Sequence, residues 1–343
     1  MQIAIVLALG NASAADAAIA QPRVDVSAMR DPAEKSYRRI VRGMDLFERR
    51  HALAPNAPLR FKLLPRNRDI ALEDTALGIV GDSVRIPVPV AADNTFTLER
   101  SQPALDEDAS VVPNRRARTM TWRTDIRTPG LPPDTRRLGD LRLECLVGIE
   151  ADLVSNARSI IAKIARLASD PGYCDQRVPE YLFFAGRPLW SVTLVHGGRR
   201  EVLPLEHLYA GSSRKPMTGT DLEYCDCEVL LDRTYYAPLG DLRWPDDTLL
   251  EFEYMDDGAL AGKSTRADVI AERGPAKTVV RFDTGFEVWL YRLPQEAPAG
   301  QTLAQRIERM ISLDAEQETT EEFLVLFAPS GQVAKTRTRP PSR

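Results

Sequence analysis

The sequence predicts an α+β fold rich in β-strand, with antiparallel, sandwich-like sheets and an N-terminal, a central and a short C-terminal helix. Many short runs alternate apolar and polar residues, as half-buried strands do. Glycine-containing turns at residues 196–200 and 283–285 lie between such runs, as in β-hairpins. Apolar residues recur at helical spacing in only three stretches, so helices are expected to be few.

The N-terminal helix is expected to begin at residues 31–34. Asp31 is suited to the N-cap, Pro32 to the first helical position, and Glu34 to the third position of a capping box. The helix is expected to end before the proline-containing residues 54–58. Its apolar face would consist of Tyr37, Ile40, Val41, Met44 and Phe47.

Alternating residues predict a small antiparallel β domain over residues 59–150. Residues 60–64 and 120–126 are predicted to form half-buried strands. Residues 84–90 carry Pro87 and Pro89, which cannot donate to a ladder, so an edge or bulged strand is expected there. Residues 92–94 turn the chain towards a return strand that begins at Phe96.

Residues 153–168 have the clearest helical spacing in the middle of the chain, and Asp170, Pro171 and Gly172 would end the helix. We place the domain boundary beside it, so the second β-rich domain is predicted over residues 151–330. A short amphipathic helix is expected at residues 303–313. The strands predicted in this domain lie at residues 181–184, 190–195, 201–205, 222–236, 249–255, 277–282, 286–293 and 323–327.

Residues 331–343 form the one basic run that acids do not interrupt. With Lys335, Arg337, Arg339 and two prolines near its end, this segment is predicted to be a disordered, solvated tail. The whole chain of 343 residues carries a net charge of −4, and its basic residues otherwise alternate with acids. This balance argues against a nucleic-acid partner.

The first twenty residues are typical of a secretory signal peptide. A short apolar run at residues 3–9 precedes small-residue cleavage sequences that end at Ala14 and Ala20. The run is far shorter than the roughly 20 residues needed to span a bilayer. A buried N-terminal strand is the alternative. The expected protein is therefore periplasmic or extracellular, without a transmembrane segment, and residues 21–58 form a linker followed by the N-terminal helix.

The four cysteines, Cys145, Cys174, Cys225 and Cys227, are an even number without a C-x-x-C motif. In an oxidising compartment they would form up to two disulfides, with three possible connectivities. Cys145 and Cys174 can each pair with one member of the 225/227 pair, or with each other. The strand predicted at residues 222–236 would place Cys225 and Cys227 on one face.

Three side chains are the candidates for chemistry: His207, Glu251 and Glu253. The two glutamates share a strand face, as paired carboxylates in glycosidases can, although the wet face of a sheet gives the same pattern. His207 could join Cys174, Cys225 and Cys227 around zinc. The acids that flank the 249–255 strand could hold calcium, although their spacing defines no site. They are Asp246, Asp247, Asp256 and Asp257.

Two motif-like stretches lack the features that their chemistry requires. Residues 258–264 have three residues between the glycines where a phosphate-binding loop has four. Residues 212–215 match S-x-x-K, but Pro216 follows directly and favours a turn over the helix start that this serine chemistry needs. No cofactor or resident metal is therefore predicted from motifs.

The sequence favours a non-enzymatic binding or structural protein of the cell envelope, with an envelope protein or a glycan as partner. The alternative is an exported hydrolase that acts on glycan or peptide through Asp or Glu, with or without His207. A deep pocket that unites His207 with carboxylates would favour the hydrolase. A flat aromatic patch would favour binding.

Overall fold

The computed structural model describes residues 33–66, 68–117, 119–153, 172–175, 181–211, 230–257, 262–294 and 320–339. The helices are α1 (Tyr37–Arg50), α2 (Gln102–Asp106), α3 (Leu138–Glu150) and α4 (Arg266–Arg273). The strands of the N-terminal half are β1 (Lys35–Ser36), β2 (Leu59–Pro65), β3 (Leu77–Val80), β4 (Arg85–Val88), β5 (Thr95–Phe96), β6 (Ser110–Pro113), β7 (Met120–Ile126) and β8 (Thr135–Arg137). The later strands are β9 (Leu182–Phe184), β10 (Leu189–His196), β11 (Arg199–Val202), β12 (Thr234–Tyr236), β13 (Leu249–Tyr254), β14 (Thr278–Arg281), β15 (Glu287–Pro294), β16 (Thr320–Phe327) and β17 (Val333–Arg339).

The predicted α+β, β-rich class is confirmed. Within the described residues, the strands pair antiparallel in five sheets. The sheet orders are β1-β6-β3-β4, β5-β2-β7, β11-β10-β13-β8, β12-β9 and β14-β15-β16-β17.

The start predicted for the N-terminal helix is wrong. Helix α1 begins at Tyr37, and the side chain of Ser36 caps it by accepting a hydrogen bond from the Arg39 amide. Ala33 and Glu34 precede the helix in non-helical conformation. Asp31 and Pro32 lie outside the described residues. Ser36 supplies the same capping chemistry as the predicted Asp, one and a half turns later.

Helix α1 and the first two sheets enclose the N-terminal core. Tyr37 and Ile40 of α1 are fully buried against Phe61, Leu63 and Trp122. The predicted edge strand is confirmed, because among the described strands β4 pairs only with β3, and it carries Pro87 within it. The predicted return strand exists as β5, but it pairs with β2 and not with the preceding strand.

Helix α3 was not predicted as a helix. Its apolar residues are buried around most of its circumference, since α1, β7 and the C-terminal core all contact it. A helix that is buried on most sides has no single apolar stripe to recognise. The helix predicted at residues 153–168 lies outside the described residues except for Leu153, which is not helical.

In the C-terminal half, both predicted hairpins are confirmed. Gly197 and Gly198, at φ +54° and +83°, join β10 to β11. Gly285, at φ +83°, lies in the turn between β14 and β15. Strand β8 pairs with β13, so the β11-β10-β13-β8 sheet contains residues from both sides of the boundary predicted at residue 150.

The disordered tail predicted from residue 331 is wrong for β17. This strand pairs along its length with β16, and its cations reach the β10–β13 sheet. Lys335 Nζ donates to the Tyr254 carbonyl at 2.6 Å, and Arg337 Nη1 donates to Ser191 Oγ at 2.6 Å. The basic residues are therefore part of the contact between two sheets. Residues 340–343 lie outside the described residues.

The single strand predicted at residues 222–236 is wrong in its described part. Leu230 has a left-handed backbone, Leu231–Arg233 forms a 3₁₀ turn, and only Thr234–Tyr236 is a strand, paired with β9. The remainder of this run, the signal peptide predicted at residues 1–20 and the helix predicted at residues 303–313 lie outside the described residues. Helix α4, which the sequence analysis missed, begins with a capping box between Thr265 and Asp268.

A disulfide joins Cys145 of α3 to Cys174. Of the pairings that the sequence left open, these two cysteines therefore pair with each other and not with Cys225 or Cys227. Both cysteines are buried in the C-terminal core. Cys225 and Cys227 lie outside the described residues. Among the helices described, none combines the length and the apolar character needed to cross a membrane.

Candidate functional site

The structure gives both predicted glutamates ion-pair partners on strands that are not adjacent to β13 in its sheet. On β13, Glu251 Oε2 lies 2.5 Å from Arg200 Nη2. Glu253 forms an ion pair with Arg337 of β17, and Lys335 Nζ lies 3.6 Å from its other oxygen. These carboxylates hold strands together, and each is already neutralised by a cation.

His207 lies on a different element, in the 3₁₀ turn Leu205–His207, and is half-buried. Cys174 is not available as a ligand of the zinc site considered around His207, because its sulfur is bonded to Cys145. Cys225 and Cys227 lie outside the described residues. Within the part of the chain that the structure describes, no three His, Cys, Asp or Glu side chains are arranged to hold a metal.

The acids considered for calcium also have basic partners. Asp246 lies 2.5 Å from Arg142, and Asp247 lies 3.3 Å from His196. Asp256 and Asp257 both contact Arg187, at 3.1 and 2.8 Å. An arginine or histidine nitrogen lies beside each of these carboxylates, where a bound calcium ion would have to lie, so these contacts do not fit a calcium site.

The candidate site is instead a cleft beside β7, which we name the β7 cleft. Its internal volume is about 330 Å³. It is lined by side chains of β2, β7 and α3, by Arg127 and Arg136, and by the segment of residues 181–186. Asp93, Asn94, Leu230 and Arg233 complete the described lining. A cavity of this size is within the range of small-molecule sites.

The β7 cleft carries an excess of positive charge in a chain whose net charge is −4. The lining contains five basic and three acidic side chains. The basic residues are Lys62, Arg123, Arg127, Arg136 and Arg233, and the acidic residues are Asp93, Asp125 and Glu144. The local field therefore has the opposite sign to that of the whole molecule, which favours an anion in the cleft.

Strand register explains why these charges meet. In the β5-β2-β7 sheet, Lys62 lies between Thr95 of β5 and Arg123 of β7, and Arg60 lies opposite Asp125. Strand β7 was expected to be half-buried, with its polar residues facing water. All seven of its residues are buried, and Arg123 and Asp125 are only 6% and 3% exposed.

Asp125 is held by two arginines. Arg60 Nη2 donates to one carboxylate oxygen at 2.9 Å, and Arg127 Nε donates to the other at 2.7 Å. Burial alone would raise the pKa of Asp125, but the charges of Arg127, Arg136 and Lys62 together lower it. Asp125 is therefore ionised and already paired.

Glu144 of α3 is held in a buried network. Arg136 Nη2 lies 2.6 Å from Glu144 Oε1, the Ile126 amide donates to the same oxygen at 2.7 Å, and both charged side chains are 6% exposed. Burial raises the pKa of Glu144 to about 7, although Arg136 opposes the rise. Burial would likewise lower the pKa of Arg136, yet the Glu144 carboxylate raises it.

Two of the five cations form no salt bridge with the described residues. Among the described residues, Lys62 forms neither a hydrogen bond nor a salt bridge, and Arg233 forms no salt bridge. Arg233 Nη1 donates to the Gly186 carbonyl at 2.8 Å, while its buried Nε has no hydrogen-bond partner there. Burial lowers the pKa of Lys62, with Asp125 opposing, and burial lowers the pKa of Arg233, with Asp232 opposing.

An aromatic wall, formed by Tyr181, Phe183 and Phe184, lines the same cleft. Phe184 lies under the guanidinium of Arg123, with the guanidinium carbon 4.9 Å from the ring centroid. Tyr181 and Phe183, whose ring centroids are 4.8 Å apart, also line the cleft and are each 3% exposed. The cleft thus combines unpaired cations with an apolar surface.

Sequence reasoning missed this site because its residues come from distant segments of the chain. The signal that was present is the pattern Thr121, Arg123 and Asp125 along β7. In a half-buried strand these residues would face water, although charges of both signs on a strand also fit a buried, ion-paired face. The number of sheets packed against that strand could not be read from the pattern itself.

A comparison of the chain with known protein families, curated proteins and solved structures finds no significant match.

Proposed function

We propose that this chain is an exported, non-enzymatic binding protein of the cell envelope, and that the β7 cleft is its binding site. The observation that carries the proposal is the cation excess of a cleft whose acids are already paired with arginines. Paired acids are poorly suited to proton transfer, whereas unpaired cations beside aromatic rings are suited to holding a ligand.

Export is supported by the buried Cys145–Cys174 disulfide, because disulfides persist mainly in oxidising compartments. The test is the intact mass of the protein recovered from the envelope of a bacterial host, with thiols alkylated before and after reduction. We expect cleavage after Ala14 or Ala20 and no alkylation of Cys145 or Cys174 before reduction. A full-length, cytoplasmic product with both thiols free would contradict export.

Binding is tested by thermal denaturation with a panel of small acidic, neutral and basic molecules, short glycans and short peptides. We expect at least one class to raise the midpoint, because a ligand that binds only the folded state stabilises it. Mass spectrometry of the recovered probe should show it unchanged. A panel without any shift would contradict a binding function for this cleft.

One observation favours the alternative of a hydrolase. Asp125 has a lowered pKa and Glu144 has a raised pKa, and both line the same cleft. In hydrolases, a protonated general acid and an ionised carboxylate can be two carboxyl groups whose surroundings separate their pKa values in this way. The hydrolase would be established if the wild-type protein cleaves a probe of the panel and Glu144→Gln abolishes that cleavage. The arginine partners of both acids favour binding over this alternative.

A further inference from the structure

We infer that the β7 cleft selects a small anionic molecule that carries a carboxylate or a phosphate on an apolar body. This inference rests on the proposed binding function and adds the chemistry of the ligand. The anionic group would lie against Lys62 and Arg233, and the apolar body against the aromatic wall at residues 181–184.

Lys62 carries the first step of the argument. An ammonium group that is half-buried, and that has no hydrogen-bond or salt-bridge partner among the described residues, is costly to keep charged. Arg60 on the same strand takes the nearest acid, Asp125, at 2.9 Å. An anionic ligand would supply the missing partner of Lys62. The charge-assisted hydrogen bond formed with the ligand would offset the free-energy cost of burying the ammonium group.

Arg233 adds a second, oriented donor. Its contact with the Gly186 carbonyl fixes one end of the guanidinium at 2.8 Å, and its remaining nitrogen atoms have no salt-bridge partner in the described part of the chain. A guanidinium presents paired donors that match the two oxygens of a carboxylate or phosphate. An ammonium and a guanidinium that line one cleft favour an anion over a neutral polar group.

The aromatic wall defines the rest of the ligand. Phe183 is buried and Phe184 is partly buried, and the latter presents its ring to Arg123. Leu64 and Pro65 add apolar surface from β2. A purely ionic ligand would leave this surface unused, whereas an aromatic or aliphatic body would bury it. The volume of about 330 Å³ fits a small molecule.

The experiment is isothermal titration of the full-length protein with benzoate, phenyl phosphate, inorganic phosphate and the neutral benzyl alcohol. Each probe is titrated into the wild-type protein and into Lys62→Met, Arg233→Met and the control Lys277→Met. Lys277 is an exposed lysine outside the cleft. Comparison of benzoate with phenyl phosphate identifies which anionic group is preferred.

We expect benzoate or phenyl phosphate to bind more tightly than benzyl alcohol and inorganic phosphate. Lys62→Met should weaken the preferred anion about tenfold or more, which is the loss expected for one charge-assisted hydrogen bond. Lys277→Met should leave its affinity unchanged. The affinity of the preferred anion should also fall as sodium chloride is added, because the contact is electrostatic.

Equal affinity for benzoate and benzyl alcohol, unchanged by Lys62→Met, would overturn the inference and leave the proposed binding function standing. Absence of binding by all four probes, together with a rise in the denaturation midpoint caused by another member of the earlier panel, would also overturn the inference and leave the proposed binding function standing. If Lys62→Met loses its folded circular dichroism spectrum, Arg233→Met and the salt dependence decide the matter. Failure of the entire panel would overturn both proposals.

Discussion

At the scale of single residues, Glu144 joins the chemistry of the β7 cleft to the stability of the fold. Its carboxylate accepts hydrogen bonds from the Arg136 side chain and the Ile126 amide, and Arg136 also donates to the Ile126 carbonyl at 3.0 Å. Removal of one partner of a buried pair leaves the other charge uncompensated. Glu144 is thus both a wall of the cleft and part of the contact between α3, β7 and β8.

The first prediction concerns pH. The pKa of Glu144 is raised to about 7 in the folded protein from an ordinary value of 4.5. The folded state therefore binds more protons than the unfolded state between these values. The stabilising contribution of the protonated group is complete below pH 4.5 and is lost as the pH rises through about 7.

Glu144→Gln tests this prediction, because glutamine has nearly the same shape and does not titrate. Urea unfolding of both proteins from pH 4.5 to 8 should show the wild-type free energy of unfolding falling more steeply with pH than that of the variant. Equal slopes would mean that Glu144 remains ionised beside Arg136 throughout this range.

At the scale of elements, the packing of α1 on α3 depends on a glycine. A Cβ atom at Gly43 would lie 2.8 Å from the Ala151 Cβ and 3.2 Å from the Val147 carbonyl oxygen. Both neighbours belong to α3 or its C-cap and cannot rotate away. The two helix ends are also joined by ion pairs of Arg39 with Asp152 and of Arg42 with Glu150.

The second prediction is that Gly43→Ala destabilises the fold. Helix propensity alone would favour alanine by about 1 kcal/mol. Overpacking against α3 costs about 1 to 3 kcal/mol and should prevail. Gly186→Ala is the control, since no atom lies within 4 Å of its Cβ position. In urea unfolding the control should match the wild type or exceed it by a few tenths of a kcal/mol. A stabilised Gly43→Ala variant would contradict this packing.

Strand β17 shows how a basic segment can be structural. Arg337 contacts Ser191 of β10 and Glu253 of β13 through different guanidinium nitrogens, and its side chain is 26% exposed. The third prediction is that Arg337→Met lowers the free energy of unfolding by about 1 kcal/mol, the value of a hydrogen-bonded and partly exposed charge pair.

Arg281→Met is the control for this prediction. Arg281 lies 3.7 Å from Glu287 with its side chain 69% exposed, so we expect no measurable change in the unfolding curve. An Arg337 variant as stable as this control would show that the β17 cations contribute nothing to the contact between the sheets.

The elements that sequence could predict are those whose signal is local. The β10–β11 and β14–β15 hairpins were predicted because glycine at positive φ marks the turn and alternation marks the strands. Helix α3 was missed because its surroundings bury it on several faces. Strand β17 was missed because its charges are satisfied by distant residues, which composition cannot reveal.

At the scale of the whole molecule, contacts between distant segments decide both the core and the candidate site. Arg68, in the N-terminal half, forms ion pairs with Asp232 and with Asp283, the latter at 3.0 Å. The β7 cleft depends on the same proximity, since Lys62 and Arg233 line it from the two halves. Sequence reasoning has no access to such proximity without a family match, and so neither the cleft nor its charge balance could be predicted.

The last prediction concerns the Cys145–Cys174 disulfide, which crosslinks residues separated by 29 positions. A loop of this length restricts the unfolded chain by about 3 to 4 kcal/mol. Cys145→Ser, Cys174→Ser and the reduced wild-type protein should therefore lose similar amounts of unfolding free energy. The double variant should lose little more than either single variant, because each substitution removes the same crosslink.

Guanidinium unfolding with and without reductant measures all four losses, and reductant should leave the double variant unchanged. Additive losses in the two single variants would show that the cysteines act through separate packing contacts and not through their bond. A large loss on reduction would also support the proposed export, since disulfides such as this one persist mainly in oxidising compartments.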